Sequence, residues 1–153
     1  MHPAIPLATR FLCEHTGTMV QLLEKRSELG HGIQLARMLQ QVISYTTATV
    51  TEKQIEAILS LTRQTHQALA TNLEHYMGEQ KNFNGLYLTT TDPLLRAELT
   101  AHITNLDNQM GAIRRDMQVL QRFSTRFITI CGEAGLKFVR DLSLPYTVPK
   151  KIG

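Results

Sequence analysis

Residues 99–131 read LTAHITNLDNQMGAIRRDMQVLQRFSTRFITIC. Apolar side chains fall at Leu99, Ile103, Leu106, Met110, Ile113, Met117, Leu120, Phe127 and Cys131, in steps of four and three, and Ser124 is the one polar residue in that register. A 4-3 alternation held this long marks a helix that buries one narrow stripe against other helices. Upstream, Asp92-Pro93 supplies a start, because Asp accepts from the free N–H groups of a first turn and Pro at N1 has no N–H to lose. Downstream, Gly132-Glu133-Ala134-Gly135 supplies an end. A helix over 93–131 would run roughly 58 Å at about 1.5 Å per residue. A compact chain of this length has a radius of gyration of only about 15 Å. The bundle is therefore elongated, or its long helix bends, with Gly111 as the place for the bend.

Working outward, the same period recurs. Between Pro6 and Leu29 the apolar positions Leu7, Phe11, Leu12, Met19, Val20, Leu22 and Leu23 predict a first helix. Gly30-His31-Gly32 predicts a break, and Leu35, Met38, Leu39, Val42 and Ile43 predict a second helix from about residue 33 to 45. Residues 46–50 read as a loop. Thr51-Glu52-Lys53-Gln54 is a capping box opening a third helix over roughly 52–80, whose stripe is Ile55, Ile58, Leu59, Thr62, His66, Leu69, Leu73, Tyr76 and Met77. Asn82 to Asp92 reads as the longest non-helical stretch, with residues 86–91 as a short strand-like arm. A short helix is expected over 136–142, and Pro145 and Pro149 make the end an extended tail. The expected fold is all-α: an antiparallel bundle of four to five helices over residues 1–142, one domain, followed by a basic tail over 143–153.

Composition sets bounds. The 153 residues are 42% hydrophobic and 19% charged, with 9 Gly and 5 Pro, which excludes disordered and collagen-like chains. No apolar run approaches the ~20 residues of a membrane helix, and Met1-His2-Pro3-Ala4 lacks the basic, then apolar, opening of a signal peptide. The expectation is a cytoplasmic chain with no membrane partner. Charge is unevenly spread. Residues 1–113 carry 8 Lys/Arg against 10 Asp/Glu, a balance of −2, whereas residues 114–153 carry 8 against 3, a balance of +5, for a net charge of +3. A basic end of this kind suits phosphate or an acidic surface.

Catalytic and metal chemistry find little support. Glu28 and His31 have the spacing of one Glu-x-x-His pair, and Glu98 and His102 share a helix face, but a carboxylate-bridged di-metal bundle needs two such pairs and two further inward Glu. His66 sits on an apolar stripe and reads as a core or boundary histidine. Cys131 falls in the seam and reads as a small buried hydrophobe. Cys13 lies beside Phe11 and Leu12, and a Cys13–Cys131 disulfide would need an oxidising compartment. No hydrolase, phosphate-loop, dinucleotide or zinc motif is present. The expectation is therefore no cofactor, no metal and no catalytic residue. One pattern stands against it. Arg10 to His15 and Arg26 to His31 both read Arg-x4-His, and Arg96 to His102 reads Arg-x5-His. At the level of size, helical class and this spacing the chain resembles the HEPN family of helical ribonucleases, in which such a pair stabilises the phosphorane and transfers a proton. The polar residue that usually follows the Arg is matched only by Ser27.

The strongest positive feature is a basic stripe. With the apolar seam at heptad positions a and d, Arg115 and Arg122 fall on the outer f position and Arg126 at c beside them. Arg122 and Arg126 are about 6 Å apart along the axis. Lys137 and Arg140 extend the set. Guanidinium groups favour bidentate phosphate contacts. Trp is absent and Phe123 is the one aromatic residue near the stripe, which implies backbone contact without base reading. The expected function is a non-catalytic helical subunit of a nucleoprotein assembly, binding the backbone of RNA or single-stranded DNA through Arg115, Arg122, Arg126, Lys137 and Arg140, with other subunits as partners. In size, class and charge the chain is similar to small helical subunits of RNA-guided CRISPR effector complexes, a resemblance that implies side-by-side stacking of copies in an antiviral complex. Two alternatives are a protein-interaction module (an assembly adaptor or secretion chaperone), with self-association along the seam, and the HEPN-like ribonuclease.

Overall fold

A computed structural model describes residues 4–25, 30–44 and 50–133. They form four helices: α1 (Ala4–Glu24), α2 (Gly30–Ser44), α3 (Glu52–Thr89) and α4 (Pro93–Glu133). Among the described residues there is no strand, and no helix is long and apolar enough to cross a membrane. The all-α expectation holds. The expected helix over 136–142 and the tail over 143–153 lie outside the described residues. Two compact units divide the chain, one built from residues up to Ala68 together with those from Val119 on, the other from Leu69–Gln118.

In the first unit α1 and α2 pack on each other. Phe11, Leu12, Met19 and Leu23 of α1 are buried, as are Leu35 and Leu39 of α2 and Ile55, Ile58 and Leu59 of α3. From α4, Leu120, Phe123, Phe127 and Cys131 are buried. Phe11 stacks on Phe127 at 5.7 Å between centroids with 9° between planes, and meets Phe123 at 5.5 Å. Aromatic pairs in such geometries add about 0.5–1.5 kcal/mol beyond the area they bury. Three buried threonines satisfy their hydroxyls locally. Thr16 donates to the Leu12 carbonyl, Thr62 to Ile58 at 2.7 Å and Thr65 to Leu61 at 2.7 Å. Each bond runs back one turn, which lets a polar side chain occupy a core position without an orphaned hydroxyl. The Val50 N–H donates to Thr9 Oγ1 at 2.9 Å and ties the entry of α3 to α1.

The start of α3 follows the sequence. The Gln54 N–H donates to Thr51 Oγ1 at 3.2 Å, and the Thr51 N–H donates to Gln54 Oε1 at 2.9 Å, a reciprocal capping box. The start of α4 does too. The Leu94 N–H donates to Asp92 Oδ1 at 3.0 Å and the Arg96 N–H to the Asp92 carbonyl at 2.9 Å.

In the second unit α3 and α4 form an antiparallel hairpin. Gln80 Nε2 donates to Asp107 Oδ1 at 2.7 Å and to the Ile103 carbonyl at 3.4 Å. Phe83 stacks on His102 at 5.2 Å, and the Arg96 guanidinium lies 4.7 Å above the Tyr87 ring. Partners on α4 descend as those on α3 rise. Leu69, Leu73, Leu99, Leu106, Met110, Ile113 and Met117 are buried. Apart from half-buried Ile103, every seam residue of α4 is buried within the chain, and α4 continues through Gly111 as α-helix.

Three boundaries differ from expectation. α1 ends at Glu24 rather than Leu29. α2 begins at Gly30, so Gly30-His31-Gly32 forms its first turn instead of a break. First-turn N–H groups have no intrahelical acceptor, so glycine loses little there, and the Leu35–Ala36–Leu39 stripe carries the helix back to it. α3 runs to Thr89, so the strand-like arm over 86–91 is not formed. Gly85 disfavours helix by about 1 kcal/mol, but the Gln80, Phe83 and Tyr87 contacts to α4 repeat at helical spacing and override it. The helix stops where the Thr90 N–H closes on the Leu86 carbonyl at 3.0 Å.

Two predictions follow from the core. Ser124 is 1% exposed, and its hydroxyl has no hydrogen-bond partner among the described residues. Ser124→Ala is expected to raise unfolding free energy by about 1 kcal/mol, while Phe127→Ala lowers it by about 3–5 kcal/mol, both read by urea titration. His66 is fully buried, and burial pushes its pKa below the ordinary histidine value of 6.5. The unfolded chain then binds the proton more readily than the native one, so stability falls as pH drops below about 6.5 and levels off below the native pKa. The slope contributed by this one group is at most about 1.4 kcal/mol per pH unit. Urea midpoints from pH 7.5 to 5 should show that loss in the native sequence and a smaller one in His66→Leu.

Candidate functional site

Arg122 and Arg126, two members of the stripe expected on the outer face of α4, line a groove. α1 presents one face, Phe11, His15, Thr18 and Met19, at spacings of four, three and one. α4 presents Val119, Arg122, Phe123 and Arg126 opposite them. These eight residues line a cavity of about 130 Å³, all within the first unit. Phe11 and Phe123 are buried and form its floor, and Phe11 is 6% exposed. His15 is half-buried and leans on Phe11, with 4.4 Å between ring centroids and 44° between planes. Arg122 and Arg126 are exposed at the rim.

Among the described residues neither guanidinium has an ion-pair or hydrogen-bond partner. Like charges four residues apart disfavour a helix by about 0.2–0.5 kcal/mol. Glu14, next to His15 in the chain, is paired with Arg10, Nε to Oε1 at 3.2 Å. The local field is therefore positive, over a floor that is apolar and aromatic. A bound anion would relieve the repulsion.

Of the other predicted site residues, Arg115 alone is among those described, and it does not line the groove. Arg115 is exposed, belongs to the second unit and reaches back over Gly111, where an added Cβ would lie 3.5 Å from its Nη1. Lys137 and Arg140 fall outside the described residues. Of the three Arg–His spacings, two lie among the described residues, and in both the arginine has another partner. Arg10 is bonded to Glu14, Arg96 lies over Tyr87 and His102 on Phe83, and Arg26 lies outside the described residues. No group of three His, Cys, Asp or Glu able to hold a metal occurs among the described residues. Both cysteines are free: Cys13 is exposed, and burial pushes the Cys131 thiol up to about 11, which leaves it inert.

Sequence reading missed the α1 half of the groove. Phe11 was visible as a core position and His15 as part of an Arg–His spacing. Nothing local couples them to residues more than a hundred positions away. The available signal was the repeat Phe11, His15, Thr18, Met19 itself, a helix face too polar to be wholly core.

Because Arg122 and Arg126 are exposed, without a partner among the described residues and mutually repulsive, Arg122→Ala and Arg126→Ala are expected to leave the urea midpoint unchanged or to raise stability by up to about 0.5 kcal/mol. A loss above about 1 kcal/mol for either would mean that the arginine supports the fold. Set against protein-family models, curated proteins and solved structures, the chain matches none of them.

Proposed function

We propose that this chain is a non-catalytic helical subunit of a nucleoprotein assembly, and that it grips the phosphate backbone of single-stranded nucleic acid with Arg122 and Arg126. The observation that carries this reading is the Arg122–Arg126 couple, without a partner among the described residues, at the rim of an aromatic-floored groove. Two guanidinium groups one helical turn apart can each take a phosphate of one strand, and guanidinium is the side chain best suited to bidentate phosphate contact. A shallow cavity on a helix pair admits a flexible strand, whereas duplex recognition commonly places a helix inside a groove of the nucleic acid. Two free cysteines in different environments fit a reducing compartment, and we place the protein in the cytoplasm.

A second reading has its own observation. Leu86 and Leu88 near the end of α3 are 54% and 79% exposed, and Leu94 at the start of α4 is 77% exposed. This apolar hairpin tip fits contact with another protein subunit, which suits an assembly component as well as a pure interaction module.

The test is fluorescence anisotropy with labelled single-stranded RNA and DNA from 50 to 300 mM salt. Two phosphate contacts on a single strand give a slope of log K against log salt of about −1.4. Arg122→Glu is expected to cut affinity at least tenfold and to flatten the slope by about 0.7. No binding at 50 mM salt, or binding unchanged in the Arg122→Glu and Arg126→Glu variants, would overturn the reading.

A further inference from the structure

The phosphate reading leaves the inner groove unused. Two arginines at a rim would suffice for backbone contact. Here they stand over a cavity whose floor is Phe11 and Phe123 and whose wall is the half-buried His15 ring. We infer that this groove receives one unstacked pyrimidine base of the strand whose phosphates Arg122 and Arg126 hold, and so selects single strands by base size. The inference rests on the phosphate reading and sharpens its ligand.

Three features carry it. The first is size. A cavity of about 130 Å³ lies well below the roughly 300–1,000 Å³ of sites for drug-sized ligands. It is close to the ~150 Å³ of a cavity that accepts benzene, a single six-membered ring. A purine adds a second fused ring, which would project out of the open mouth of the groove and lose contact with its floor. The second is surface chemistry. Phe11 already stacks on Phe127 and meets Phe123, so the floor is fixed by the core and cannot collapse into the cavity. The imidazole of His15, tilted at 44° on Phe11, keeps an outer face toward the groove on which a planar ring can stack. Stacking on an aromatic face tolerates any base of the right size, so the choice is by ring size and no base edge has to be read. The third is charge. A free base is neutral and would gain nothing from the arginines, whereas a nucleotide within a strand brings an anionic phosphate on each side of the sugar, matching the two rim cations.

The experiment compares labelled ten-residue strands of oligo-dT, oligo-U, oligo-dA and an abasic deoxyribose-phosphate chain at 100 mM salt, with the full chain and with His15→Ala. His15 is half exposed, so its removal spares the core. Oligo-dT and oligo-U are expected to bind about tenfold tighter than the abasic strand and at least threefold tighter than oligo-dA, and His15→Ala to erase most of that advantage while the abasic affinity stays constant. Phe123→Leu, which keeps an apolar side chain in place, should lower pyrimidine affinity in the same way. Equal affinity for abasic and pyrimidine strands, with Arg122 still required, would overturn base insertion and leave the phosphate reading intact. Oligo-dA binding as well as oligo-dT would overturn the selection by size. Competition by polyglutamate as effective as by oligo-dT would assign the groove to an acidic protein and overturn both readings, as would failure of every strand to bind.

Discussion

The contact of Phe11 with Phe123 and Phe127 is the constraint on which the first unit depends. It ties α1 to a stretch of α4 more than a hundred residues away. The three rings bury the junction, and they also leave the shallow space above it. With His15 leaning on Phe11 and Arg122 and Arg126 one turn apart on α4, the same contact that holds the helices together supplies a rigid aromatic floor beneath two cations. A binding surface built on packed helices is held more firmly than one on loops, because its side chains are locked by the core below. Here the residues that would touch a ligand are either core residues themselves or their immediate helical neighbours.

Polar groups in this interior are handled in two ways. Thr16, Thr62 and Thr65 turn their hydroxyls back onto their own helices, so each occupies a core position without an orphan. Ser124 does not follow that rule. It interrupts an otherwise apolar seam with a hydroxyl that has no partner among the described residues, while His66 is kept toward its neutral form by burial. Neither lines the groove, and their consequences fall on stability and its dependence on pH.

Much of the fold was legible locally. The 4-3 seam of α4 predicted burial from Leu99 to Cys131, and the Thr51–Gln54 and Asp92–Pro93 signals placed two helix starts. What failed was also local in kind. Gly85 and the threonines after it argued against helix, but Phe83 and Tyr87 find His102 and Arg96 on α4, and a repeated tertiary contact outweighs weak propensity. The Gly30–Gly32 segment read as a break because glycine is costly mid-helix, yet it lies in a first turn, where that cost is small. At the site, Arg122 and Arg126 were legible from charge and heptad position. Their companions on α1 were not, because only the folded chain brings Phe11 and His15 to them. Backbone contact without base reading was expected because Phe123 is the one aromatic residue near the stripe on α4; Phe11 and His15, which line the groove beside it, come from another helix.

The most direct test of nucleic acid in this groove is zero-length photocrosslinking. A single-stranded oligonucleotide carrying 5-iodouridine would be irradiated with the native protein and the adducts located by peptide mass spectrometry. Binding as described predicts adducts on both the α1 segment containing Phe11 and His15 and the α4 segment containing Phe123, lost when Arg122 and Arg126 are changed to Glu. Adducts confined to other segments, or an unchanged pattern in the arginine variants, would contradict it.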